Sequence, residues 1–249
     1  MPSSGCGLRV ARLGDYPTSL RHFRNIDLLV CNTPGIADHV KGLGWDRPVK
    51  VISNFTLARP ATPVARERLG APAGAFVVLG AGRFVRRKGF HTLIEAIAAS
   101  PGAHLCLLGE GEEEQALRQL ARTLGIEDRV CFAGWQPDLS PWLSACDAFC
   151  MPSLHEPLGN VVLEAWGAGA PVIASRSEGP SWMMSDGEDG LLFPIGDAAA
   201  LADAIARVRS QDGVAAKLVA GGHRTLEASF SRQAVTRAYI RLFESPSCA

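Results

Sequence analysis

Glu156 and Glu164, with seven residues between them, flank a loop containing Gly159 and the start of a helix expected from about Asn160. Gly169 and Pro171 then stop that helix and launch a strand over 172–174, the usual order of a glycine just past a helix and a proline beyond it. A glycine loop feeding a helix start points unpaired backbone N–H groups and the positive end of the helix dipole outward, which is a place for an anion such as a phosphate. Two carboxylates beside a phosphate would repel it, so they belong against neutral groups, and hydroxyls are what a carboxylate accepts from best. Phosphate in the middle with hydroxyls on either side describes a nucleotide sugar. A buried strand–loop–helix turn with two solvated glutamates fits the same local geometry.

The run Glu156-x7-Glu164, followed by Ala165-x-Gly167-Ala168-Gly169-x-Pro171-Val172, resembles the E-x7-E signature of retaining glycosyltransferases of the GT-B fold, in particular family 4. The resemblance implies that Glu156 binds the hydroxyls of a donor sugar and Glu164 those of a ribose. It also implies that the backbone amides of Gly159, Asn160 and Val161 reach the sugar and the diphosphate.

A second loop, residues 80–90, leaves a strand with Arg83, Arg86, Arg87 and Lys88 close together. A Gly-x-Gly is weak evidence for a dinucleotide site, and the third glycine of that fingerprint is absent at Val85; a solvated basic turn fits it as well. A helix end offsets only roughly 0.3–1 kcal/mol per charge, so a diphosphate needs cationic side chains besides. Gly82-Arg83-x4-Lys88-Gly89 resembles the family's Arg and Lys pair on the donor diphosphate, with Gly82 in the same loop and Arg86 and Arg87 left to solvent. That pair lets the family work without a divalent metal, so the resemblance implies no metal and no cofactor besides the donor itself. Phe132-Ala133-Gly134-Trp135 resembles the segment that meets the nucleotide base, which brings in Gly134 and Trp135. Gly109-Glu110-Gly111 resembles the loop beside the nucleotide. Residues 178–180 and 186–190 are expected to be structural turns, and Cys106, Met151 and the tryptophans packing. His155, beside Glu156, is placed to face the sugar, though a loop histidine is more often a bystander.

The elements that must position these residues alternate. Strands are expected at 76–80, 104–108, 130–132, 148–151, 172–174 and 190–193, and helices at 89–99, 112–124, 139–145, from Asn160, 198–209, 213–228 and 232–243. Alternation implies an α/β fold with a doubly wound parallel sheet, whose ligands bind at the carboxyl ends of the strands. Every glycine loop named above follows a strand. Before it, strands at 27–32 and 49–52 bracket a helix at 34–43 with Thr33 as its cap and Pro34 at its first position. This βαβ unit resembles the last piece of the family's N-terminal, acceptor-binding domain. The expected division is thus residues 1–57, a remnant of that second Rossmann-like domain, and 58–246, the nucleotide-sugar-binding domain. Residues 56–73 form the linker, with an approach helix at 64–69. A lone βαβ unit cannot bury both faces of a parallel sheet, so the remnant is expected to belong to a longer chain or to pack on the second domain or a partner chain. On that view the isolated chain is not expected to transfer sugar at an enzyme-like rate.

Composition excludes several classes. Apolar residues are 47% and charged residues 20% of the 249, and Lys plus Arg equals Asp plus Glu at 25 each, so no global charge argues for nucleic acid or disorder. No apolar run approaches the roughly 18 residues of a membrane helix. The seven cysteines include no C-x-x-C pair; they are expected to be reduced thiols of a cytoplasmic protein, with Cys146 and Cys150 the nearest pair and no metal site. The function expected is transfer of a sugar from a nucleoside-diphosphate donor to a glycan or lipid-linked acceptor of the cell envelope, at the inner face of the membrane with at most peripheral contact to it. The alternatives are a partner-dependent or non-catalytic sugar-nucleotide-binding subunit, and a sugar-nucleotide epimerase of the same fold.

Overall fold

The computed structural model describes residues 7–244; Cys6 and Cys248 lie outside them. Two parallel sheets follow one another along the chain. The first has the order β1-β2-β3, from β1 (Val10–Leu13), β2 (Leu28–Cys31) and β3 (Val49–Val51). Helix α1 (Pro34–Gly42) starts as expected: Thr33 Oγ1 accepts from the Ile36 amide at 3.4 Å, and Pro34 occupies the first turn, where its missing N–H costs nothing. The strand β1 was not expected. It is short, and its residues alternate too little for a pattern to show.

The second sheet has six parallel strands in the order β6-β5-β4-β7-β8-β9. These are β4 (Phe76–Ala81), β5 (Ala103–Leu108), β6 (Val130–Gly134), β7 (Ala148–Met151), β8 (Val172–Ser175) and β9 (Leu191–Phe193). Between and after them run α2 (Phe90–Ala98), α3 (Glu114–Thr123), α4 (Ser140–Leu143), α5 (Asn160–Ala168), α6 (Glu178–Met183), α7 (Ala198–Ser210) and α8 (Val214–Thr225). One face, with Val78, Leu105, Leu107, Cys150 and Ile173, packs on α2, α3 and α7. The other, with Leu79, Cys106, Phe149 and Val172, packs on α4 and α5. Strand order reverses between β4 and β7, so the helices that follow these neighbours leave toward opposite faces. A crevice opens there at the carboxyl ends of the strands, where sheets of this kind bind ligands.

Several expected elements are corrected. The turn expected at 178–180 is the first half of α6, and the approach helix shrinks to a 3-10 turn, Arg66–Leu69. The tail helix expected at 213–228 ends earlier and passes into a π turn, Leu226–Phe230. Helix α9 (Arg232–Glu244) then crosses back to the first sheet, where Val235 and Leu242 bury against Leu28, Val30 and Ile52. With α1 on the other face against Leu29 and Cys31, the first sheet has both faces covered, which removes the packing problem that a lone βαβ unit posed. Among the cysteines, the direct neighbours are Cys106 and Cys131, paired across β5 and β6, and not Cys146 and Cys150. The five described cysteines are free thiols.

Helix α5 is anchored by Trp166, which is 1% exposed. Its indole N–H donates to the Asp189 carbonyl at 2.8 Å, and its ring lies against the Gly222 backbone, where a Cβ would come within 2.2 Å. Trp166→Ala is expected to cost about 3–5 kcal/mol, read as a lower urea midpoint; a loss under about 1 kcal/mol would mean that α5 is held elsewhere.

Candidate active site

The floor of the crevice is built by backbone meeting backbone. The amide of Gly82 donates to the Leu108 carbonyl at 2.9 Å, that of Gly109 to Gly134 at 2.9 Å, and that of Phe84 to Glu110 at 2.8 Å. The loops after β4, β5 and β6 are thereby tied edge to edge. Gly109 has φ +137°, and a Cβ on it would lie 2.0 Å from the Gly82 carbonyl oxygen, so no side chain fits this junction. Above it lies a largely apolar pocket lined by Gly82, Arg83, Gly109, Trp135, Leu139 and Val161, among others. Five of the expected site residues thus share one cavity, with Gly134 holding the loop beneath. Trp135 stays 66% exposed, unusual for an indole and suited to a flat apolar ligand.

On the crevice's other flank, Lys88 and Glu156 meet. Lys88 Nζ lies 2.5 Å from Glu156 Oε2, with the side chains 21% and 12% exposed. Ser153 Oγ donates to the same carboxylate oxygen at 3.3 Å. The pair joins the loop leaving β4 to the loop leaving β7. Arg83, Arg86 and Arg87 are exposed, and of these Arg83 faces the pocket.

Helix α5 begins between these two flanks. Gly159 precedes it at φ +94°, and no side chain caps the first turn. A Cβ on Gly159 would press on the Met151 side chain at 3.0 Å, so glycine is required by both conformation and space. The Asn160 side chain is engaged: its Oδ1 accepts from Asn54 Nδ2 at 2.6 Å. Asn54 in turn accepts from Arg12, which also donates to the Tyr239 hydroxyl at 2.9 Å. Glu164 is not in the pocket with Trp135. It lines the adjoining grooves, one with Arg12, Asn54, Thr56, Asn160 and Tyr239, the other with residues 56–62 and 137–140. Burial, helped by the charge of Asp138, raises its carboxyl above the ordinary range.

Sequence reasoning missed a third group. Glu178 sits at the start of α6 and holds the loop that carries Glu156. One carboxylate oxygen accepts from the Glu156 amide at 3.1 Å, the other meets His155 Nδ1 at 2.7 Å. Burial opposes its charge, but the backbone N–H groups of Glu178 and Glu156 and the His155 ring outweigh that, and its pKa is lowered. His155 is therefore held in place and is not a bystander. No local pattern signals this contact, because it joins two polar residues 23 positions apart. Among the described residues no group of three or more His, Cys, Asp or Glu side chains is placed to hold a metal ion, and no helix is long and apolar enough to cross a membrane.

Comparison with known proteins gives the family and the fold. Residues 62–224 match the family described as glycosyl transferases group 1. The lipopolysaccharide core biosynthesis glycosyltransferase LpsE of Rhizobium meliloti (strain 1021) is 54% identical over 245 residues, which span 98% of this chain and 72% of that protein. LpsD of the same strain, described in the same words, is 51% identical over 244 residues, 98% of this chain and 71% of that one. Among solved structures, Anabaena Alr3699/HepE in complex with UDP and glucose superposes with a TM-score of 0.85 at 26% identity, covering 95% of this chain and 71% of that one.

The raised pKa of Glu164 has a consequence for stability. A folded value above the unfolded one means the folded state holds the proton longer. The group's contribution is therefore most favourable below its ordinary value of 4.5 and is lost as pH rises through the folded value. Glu164→Gln is expected to raise the denaturation midpoint at pH 7 and leave it nearly unchanged well below pH 4.5. A midpoint lowered equally at both would show that the carboxylate is stabilising where it stands.

Proposed function

Since the chain belongs to the glycosyl transferases group 1 family and is a glycosyltransferase of the GT-B fold, we propose that it is a retaining, family 4 enzyme. It moves a sugar from a uridine-diphosphate donor onto a growing lipopolysaccharide core, in the cytoplasm at the inner face of the membrane. The observation that carries this reading is the sharing of one loop and one helix start by two different surroundings. The 82–88 loop and the start of α5 border the apolar Trp135 pocket on one side and the Lys88–Glu156 pair on the other. A nucleotide base fits the first, a sugar the second, and the diphosphate lies between, beside Arg83 and the amides of Asn160 and Val161. Support for uridine comes from the HepE complex, whose nucleotide is UDP. Support for the core acceptor comes from the two Rhizobium relatives.

The chemistry follows from where charge develops. Cleavage of the bond between the sugar and the diphosphate leaves negative charge on the phosphate and an oxocarbenium-like sugar. Arg83, Lys88 and the α5 amides are preorganised donors for the leaving group and stabilise it electrostatically. Glu156 holds the sugar hydroxyls, which is positioning. Glu164 takes the ribose hydroxyls at the edge of the pocket. Two cationic side chains and a helix end do the work that a divalent metal does elsewhere.

UDP is expected to bind in a calorimeter with the same affinity in the presence and absence of a chelator. No binding, or binding abolished by the chelator, counts against the reading. Glu164→Ala is expected to weaken UDP by roughly 1.5–3 kcal/mol, the worth of a hydrogen bond to a charged group, and to weaken 2′-deoxy-UDP by clearly less. Equal losses for the two nucleotides would take the ribose role away from Glu164.

A further inference from the structure

The His155–Glu178 contact lies beside the donor residues Arg83, Lys88, Glu156 and Glu164, and the donor reading leaves the His155 ring itself without a role. Glu178 takes the Nδ1 side of the imidazole at 2.7 Å and at the same time fixes the Glu156 amide. That leaves Nε2, which has no hydrogen-bond partner among the described residues. Glu178, whose pKa is lowered, can only accept as a carboxylate, so Nδ1 carries a proton toward it and Nε2 is the ring nitrogen left to meet a ligand.

Facing this imidazole is the first sheet. The Tyr16 ring, on the loop that leaves β1, lies 5.7 Å from the His155 ring, centroid to centroid, tilted by 49°. Tyr16 is itself set edge-on against His39 of α1 at 5.2 Å, and His39 Nε2 lies 2.9 Å from the Pro17 carbonyl, which holds the loop in place. The Tyr16 hydroxyl lies where a Cβ on Gly35 would approach within 2.6 Å, so the start of α1 leaves room for the phenol. Like Nε2, this hydroxyl has no hydrogen-bond partner among the described residues. His155 and Glu178 remain 40% and 43% exposed, so the group is open to a ligand from solvent.

An aromatic ring flanked by one free ring nitrogen and one free hydroxyl is the chemistry that receives a sugar: the ring takes an apolar C–H face, the polar atoms take hydroxyls. His155 adjoins Glu156 in the chain, so a hydroxyl held at Nε2 is next to the sugar that Glu156 holds. We propose that His155, oriented by Glu178 and faced by Tyr16, forms the subsite for the acceptor sugar, with Nε2 hydrogen-bonded to an acceptor hydroxyl. His155 and Tyr16 touch the acceptor; Glu178 is a positioning residue. This inference rests on the glycosyltransferase reading of the crevice and adds the acceptor side to it. No proton transfer to His155 is required: the group places the hydroxyl, and placement is what a two-substrate reaction gains most from.

The test is equilibrium binding on the chain as it stands, with lipopolysaccharide core oligosaccharide released by mild acid as the probe, titrated into the UDP-saturated protein and its variants. His155→Ala is expected to weaken the oligosaccharide at least 10-fold while UDP affinity stays within twofold, which also reports an intact fold. His155→Gln, whose amide keeps a hydrogen-bonding group near the Nε2 position, is expected to recover most of the loss, and Tyr16→Phe to lose several-fold. Glu178→Leu is expected to follow His155→Ala, with Glu178→Gln between it and the wild type. Oligosaccharide affinity equal in the wild type and His155→Ala overturns the proposal. So does UDP affinity falling in parallel with oligosaccharide affinity, or a wild type that binds UDP but no oligosaccharide. A wild type that fails to bind UDP instead overturns the donor reading on which the proposal rests.

Discussion

Lys88 and Glu156 stand at the point where the sheet reverses direction, and their contact is what the crevice is arranged around. The two strands behind them, β4 and β7, are hydrogen-bonded neighbours, but the loops leaving them diverge with their helices. Across that gap one ammonium and one carboxylate meet with little solvent on either. A partly buried pair of this kind loses in hydration much of what it gains in Coulomb attraction, so it is a poor device for stability alone. Its physical meaning is a constraint on ligands. Anything that enters must offer an anion to Lys88 or a hydroxyl donor to Glu156, since breaking the pair with neither would strand a charge. A sugar joined to a diphosphate offers both, in the order the crevice presents them. Ser153, already donating to Glu156, keeps that carboxylate partnered during the exchange.

Backbone density around the pair explains why so many of the site's residues are glycines. Three strand-end loops are hydrogen-bonded to each other through Gly82, Gly109 and Gly134, and a side chain at Gly109 would collide with a main-chain carbonyl. The floor of the Trp135 pocket is therefore peptide, not side chain. Such a floor is rigid, and the charged groups above it are held without spending side-chain volume.

What was legible in the sequence follows from the range over which each feature acts. The stretch from Glu156 to Pro171 announces itself because its meaning is local: a left-handed glycine, a helix start, a stop. The six-strand sheet is legible because its strands are short apolar runs separated by helices of clear period. Strand β1 escaped notice because four residues at a sheet edge, only one of them buried, carry no pattern that separates them from a loop. The amphipathic face of α9 was visible, but nothing in its residues says that it crosses back to Leu28 and Val30 instead of packing on the sheet it follows. Glu178 and His155 illustrate the limit most directly: each alone is an ordinary surface residue, and only the juxtaposition of the β7 and β8 loops, set by the parallel pairing of those strands, makes them partners.

Besides the packing of α9, the first sheet meets the crevice through two contacts of different character, and their placement bears on how the crevice is held. One is polar and runs from Arg12 through Asn54 to Asn160, reaching the start of α5 on the Glu164 side. The other is aromatic and runs from Tyr16 to His155, reaching the Glu156 loop on the far side. Neither ties the first sheet to the pocket floor itself. Each instead grips one end of the segment that carries Glu156, Gly159, Asn160 and Glu164. A shift of the first sheet thus acts first on that segment and bypasses the glycine floor. A neutral hydrogen bond such as Asn54–Asn160 and a tilted ring contact such as Tyr16–His155 are also weak enough, at roughly 0.5–1.5 kcal/mol each, to be exchanged for contacts with a ligand. The arrangement keeps the Trp135 pocket on a fixed scaffold and sets the segment from Glu156 to Glu164 against the sheet opposite.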